Sequence, residues 1–111
     1  MNPLIRTPWW RHLVHRVFRF LAPEAEKADL LLKDDVVSRQ SVTVRDARSL
    51  GLPGTDRYVL VEGSETGAAR AVDLLKGIAQ PLDGVEADGV YRRFRAQDEE
   101  AASGMGFIFG P

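Results

Sequence analysis

The chain opens on a stretch in which apolar and basic residues separate cleanly when wound at helical spacing. Trp9, Trp10, Leu13, Val14, Val17, Phe18, Phe20 and Leu21 fill one half of the wheel, and Arg11, His12, His15, Arg16 and Arg19 fill the other. Such separation is the pattern of a helix with one buried face. Thr7 in the capping position and Pro8 at the first helical position supply its start, and Pro23 its end. The pattern therefore predicts a basic amphipathic helix within residues 1–22.

Beyond Pro23 the periodicity weakens. Glu24 to Lys33 fits a short helix, but Leu30-Leu31-Leu32 equally fits a buried strand, and so short a run does not separate the two. Ser41 to Arg45 alternates polar and apolar residues, with Val42 and Val44 on one side, and reads as a half-buried strand. Asp46 to Leu50 forms one helical turn closed by Gly51, and Pro53-Gly54 marks a turn. Tyr58-Val59-Leu60-Val61 is a continuous β-prone run, expected of a central strand covered on both faces or nearly so.

Two helices follow. Ser64 caps the first, with Ala68, Ala71, Val72, Leu75 and Ile78 at helical spacing. Asp83 and Glu86 form a capping-box pattern for the second, whose inner residues are Ala87, Val90, Tyr91, Phe94 and Ala101. Gly104 is expected to end it. Residues 104–111 then form an apolar tail in which Phe107, Ile108 and Phe109 add a last strand or fill a groove.

The order predicts an α+β fold in one domain spanning 1–111: a two-layer sandwich with helices on one face of a small, mostly antiparallel sheet, preceded by the amphipathic helix. The composition, 44% hydrophobic and 28% charged, suits a chain that buries a core. No repeat or low-complexity tract interrupts it.

Charge changes the picture more than composition does. The formal net charge is only −1, yet Arg6, Arg11, Arg16 and Arg19 stand unopposed before Pro23 and all 16 acids lie beyond it. The chain has a cationic head and a mildly anionic body. There is no cysteine, which excludes disulfides, thiolate metal sites and a thiol nucleophile. Basic residues interrupt every candidate apolar leader, and no run approaches the ~18 residues of a membrane span. A soluble cytoplasmic protein without a transmembrane segment is expected.

The basic helix is the leading functional feature. Its arginines suit phosphates, anionic headgroups or an acidic partner. The same apolar stripe would serve packing on the chain's own sheet or against a second copy. His12 and His15 lie one turn apart, but Arg11, Arg16 and Arg19 around them repel a cation, so no metal site is assigned.

Gly63-Ser64-Glu65-Thr66-Gly67 leads from a strand into a helix, where free N–H groups bind anions. It matches neither a dinucleotide fingerprint nor a P-loop and reads as a plain cap. Tyr91-Arg92-Arg93-Phe94-Arg95 interleaves aromatic and basic residues, as single-strand binders do, although on a helix Tyr91 and Phe94 turn inward.

Asp34, Asp35 and Glu62 are the available acid–base candidates, with no spacing that sets them apart. No catalytic residue or cofactor is assigned, and no pocket is expected to bring two carboxylates, or a carboxylate and a histidine, within hydrogen-bonding reach of a common point.

The chain thus reads as a non-catalytic interaction or self-association module, most simply a homodimer or a partner for another protein. Its interaction surface is Trp9, Trp10, Arg11, Arg16, Arg19, Phe107, Ile108 and Phe109. The alternative is a nucleic-acid or anionic-surface binder using the helix arginines with Arg92, Arg93 and Arg95. A small-molecule enzyme without a recognisable motif comes third.

Overall fold

The computed structural model describes residues 13–109, with side chains from 13 to 99. Val14–Phe20 forms strand β1. A 3-10 segment over Ala22–Ala28, with Pro23 in its first turn, runs into the short helix α1, Asp29–Lys33. The ambiguous segment is therefore helical, burying Ala28 and Leu31 and leaving Leu30 and Leu32 exposed. Strands β2 (Ser41–Asp46) and β3 (Arg57–Gly63) form a hairpin. Helix α2 covers Glu65–Leu74, the two-residue strand β4 Gln80–Pro81, and helix α3 Gly84–Phe109.

The sheet order is β2-β3-β1-β4 and every pairing is antiparallel. With α1 between the first two strands and α2 between the last two, this is the split β-α-β topology of ferredoxin-like domains.

Three expectations need correction. The first concerns the amphipathic helix, because Val14–Phe20 is a strand at the middle of the sheet. It pairs with β3 along its whole length, from Val14 opposite Gly63 to Phe20 opposite Arg57. Val14, Val17, Phe18 and Phe20 are β-branched or aromatic, and each face is buried, Val17 on one side and Phe18 and Phe20 on the other. Tertiary pairing outweighs a helical wheel that the same residues also satisfy. Trp9, Trp10 and Arg11 lie outside the described residues.

The second is the number of layers. Phe18, Phe20, Val59 and Val61 pack against Ala28, Leu31, Val37, Ala71 and Leu75 on one face. Val17, Tyr58 and Leu60 pack against Ala47, Leu50, Leu82, Val90 and Phe94 on the other. Helices thus cover both faces, with α3 alone forming the second outer layer. The cause lies in β3, whose four consecutive buried residues need cover on two sides.

The third is the end of α3. The helix passes through Gly104 to Phe109, so the tail is neither a strand nor a separate segment. A glycine costs a helix interior about 1 kcal/mol, which 26 residues of continuous helix absorb.

The loop from α1 to β2 is held by Asp34. Its Oδ2 accepts the N–H groups of Val36 and Val37 at 3.1 and 3.0 Å. Its Oδ1 accepts Nε and Nη2 of Arg70, on α2, at 3.0 and 2.8 Å. The side chain is only 10% exposed. Arg70 first, and then the Val37 N–H, hold this carboxyl below its ordinary pKa of 3.8.

A depressed folded pKa stabilises the fold above the unfolded value, and that contribution is lost as pH falls through the folded one. Asp34→Asn is therefore expected to lower the melting temperature at neutral pH and to flatten its decline below about pH 4. An unchanged acid slope would place that dependence on other carboxylates.

Candidate functional site

Of the arginines proposed to meet an anion, Arg19, Arg93 and Arg95 are occupied within the fold. Arg19 reaches Asp56 with Nε and Nη2, both at 2.7 Å, and Asp56 also accepts the Ala22 N–H at 3.1 Å. That bond to Asp56 is the main reason the Arg19 pKa is raised. Arg93 donates Nη1 to the Leu50 and Gly51 carbonyls at 3.1 and 3.3 Å, closing the turn after β2.

Arg95 donates Nε to the Tyr91 hydroxyl at 2.9 Å and Nη2 to Glu62 at 3.2 Å. Tyr91 first, and then Glu62, raise its pKa. Arg92 points to solvent from α3, and Arg16 lies on the opposite face of the sheet, beside Glu65, Ala68 and Val72 of α2. The described arginines therefore do not converge on one surface.

Residues 15 and 62 do meet. His15 and Glu62 are cross-strand partners. Together with Leu13, Val14, Tyr91 and Arg95 they line a surface hollow of about 300 Å³. The imidazole stacks on the Tyr91 ring with centroids 4.0 Å apart and planes 12° from parallel. Among the described residues, Glu62 is the acid–base candidate that shares a hollow with a histidine. The hollow is open, His15 is exposed, and Glu62 is engaged by Arg95. The other two acids are structural or solvated: Asp34 ties the loop, and Asp35 reaches only Arg39 at 3.4 Å, both side chains well exposed.

The Gly63–Gly67 turn is a helix cap. Ser64 Oγ accepts the Gly67 N–H at 3.0 Å. The Gln40 carboxamide fills the space around the turn, its Oε1 accepting the Ser64 N–H at 3.0 Å and its Nε2 donating to the Val36 carbonyl at 3.1 Å.

The outer edge of β2 is the feature with unspent bonding capacity. In an antiparallel pair, residues alternate between pointing both peptide groups at the partner strand and pointing both away. The Ala47 N–H bonds the Asp56 carbonyl at 2.8 Å, in register with the hairpin. Ala47, Arg45, Thr43 and Ser41 therefore face β3, and Val42, Val44 and Asp46 face outward.

Arg45 agrees with this parity, since its Nη1 donates to the outward Val44 carbonyl at 2.8 Å while its Nε is held by Gln97 at 2.7 Å. Among the described residues no backbone group bonds the outward N–H of Val42 or Val44. By contrast, the outer edge of β1 is partly closed by β4 at Phe18 and Arg19 and by the Leu82 N–H on the Val17 carbonyl.

The sequence pattern had placed Val42 and Val44 on a strand without marking them as a surface. The available signal is contrast: β2 alternates, whereas β3 is continuously apolar, as an edge strand beside a central one would be. Comparison with protein-family models, characterised proteins and solved structures gives no match, so function has to be argued from this geometry. No described helix is long and apolar enough to cross a membrane.

Proposed function

We propose that the chain is a non-catalytic interaction module that docks another polypeptide along the open edge of β2. The observation that carries the reading is the outward set of Val42 and Val44 peptide groups. An edge of this kind is a template for strand addition, and proteins usually blunt it with proline, bulges or inward charge. β2 contains no proline, and its register with β3 runs without interruption. Arg45 is its one cationic guard.

Nucleic-acid binding is less well supported, because Arg19, Arg93 and Arg95 are already bonded within the fold. Catalysis at the His15 hollow is less well supported too, because it is open to solvent and its carboxylate is paired.

Backbone amide exchange on dilute, demonstrably monomeric protein tests the edge. Thr43 and Arg45 are expected to be protected and Val42 and Val44 to exchange freely. Equal protection of all four in the monomer would mean the edge is already covered within the chain, and the reading would fall.

A further inference from the structure

Resting on that reading, we infer that the occupant of the β2 edge is a second copy of the same strand, paired antiparallel about a twofold axis through Thr43. The edge is self-complementary in one register. Outward residues must lie opposite outward residues for the bonds to form, so Val42 and Val44 of one copy can face only even-numbered positions of the other. Placing Thr43 opposite its own mate sets Val42 against Val44 twice. The two reciprocal valine pairs then exchange N–H···O=C bonds in both directions.

Both faces of the joined sheet agree with this register. Val42 and Val44, which pack at the margin of the core beneath α2, form one apolar stripe across the axis. On the other face Thr43 meets Thr43, and Ser41 meets Arg45 on either side. No like charges are opposed, and β-branched pairs are favourable cross-strand partners. Moving the axis to Val44 instead sets Val42 against Asp46, an apolar residue against an acid, and loses the stripe.

The charges of the edge are also compatible with this register. The one cation on the edge, Arg45, meets a hydroxyl, and Asp46 falls at the end of the paired segment beside the mate's neutral Gln40. To pair, Arg45 must release the Val44 carbonyl, which the Val42 N–H of the second copy then satisfies. The result joins two four-stranded sheets into one continuous sheet with β2 at its centre. One strand edge is a small interface, in the range below about 1,200 Å² where complexes are weak, so the pair should dissociate on dilution.

The experiment uses the full chain and exploits its lack of cysteine. At a non-hydrogen-bonded antiparallel pair the Cα atoms are ~4.5 Å apart, within the range a disulfide spans. Thr43→Cys should therefore form a disulfide-linked dimer on mild oxidation, reversed by reductant. Ser41→Cys should not, because its mate lies about 14 Å away along the strands.

In parallel, sedimentation should show a dimer that dissociates on dilution. It should be lost in Val44→Pro, which removes an N–H the monomer does not use. Equal cross-linking of both cysteine variants, or a dimer that persists in folded Val44→Pro, would mean the copies meet elsewhere and would overturn the inference. A monomer at every concentration without Thr43→Cys cross-linking would overturn it too, while the docking reading would still be judged by the exchange of Val42 and Val44. Should Val44→Pro unfold, the two cysteine variants decide alone.

Discussion

Phe94→Ala is expected to destabilise the protein by about 3–5 kcal/mol, the same range as Phe18→Ala, since both truncate a fully buried phenylalanine. The two rings lie on opposite faces of the sheet, Phe18 on β1 at 0% exposure under α1 and α2, and Phe94 at 2% on the inner side of α3.

Here Phe94 is, with Tyr58, one of the two aromatic side chains of its cluster, in a core that also holds Val17, Leu50, Leu60 and Val90. A single domain is stable by about 5–15 kcal/mol, so either variant removes a large fraction of the total. Chemical denaturation followed by circular dichroism measures both. A loss below about 1 kcal/mol for Phe94→Ala, the range of ordinary surface substitutions, would show that α3 is not an integral layer.

What could be read from the sequence divides along the range of the interactions. Strand β2, the β3 run and the Ser64-capped start of α2 rest on signals within a few residues, and the structure agrees with each. β1 does not rest on such signals. Val14, Val17, Phe18 and Leu21 recur at helical spacing, yet they equally suit a strand with both faces covered. The deciding partner, β3, is some forty residues away (Phe18 lies opposite Val59).

The layer error has a similar source. The unbroken apolar run from Tyr58 to Val61 already demanded cover on two faces, but a run of buried residues does not say which element supplies the second cover. Whether β2 is an edge or a centre depends in turn on the sheet order, which no local pattern of its own residues encodes. The arginine surface failed differently. Arg19, Arg93 and Arg95 were expected to be available to an anion, and each is bonded to an acceptor at least 33 positions away in the chain.

Gly67→Ala should change sign with its background: destabilising by roughly 1–2 kcal/mol in the native chain, as overpacking does, and stabilising by about 0.5–1 kcal/mol when Gln40 is also alanine. Gly67 lies inside α2, and on propensity alone alanine there should help. The obstacle is Gln40. A Cβ built on Gly67, or on Gly63, overlaps the Gln40 side chain, so the two glycines form the walls of the space in which the carboxamide sits.

Alanine at position 67 forces that side chain out, and with it go the bonds to the Ser64 N–H and the Val36 carbonyl. Those bonds tie the loop before β2 to the start of α2, across the same corner that Asp34 and Arg70 bridge. Gln40→Ala removes both the bonds and the obstruction, so the second substitution then keeps only its gain in helix propensity. The coupling expected from the double-mutant cycle is therefore about 2 kcal/mol, within the range seen for residues in direct contact. Thermal or denaturant unfolding of the four proteins measures it. Additive effects would mean that Gln40 does not occupy the turn, and that Gly63 and Gly67 are there for some other purpose.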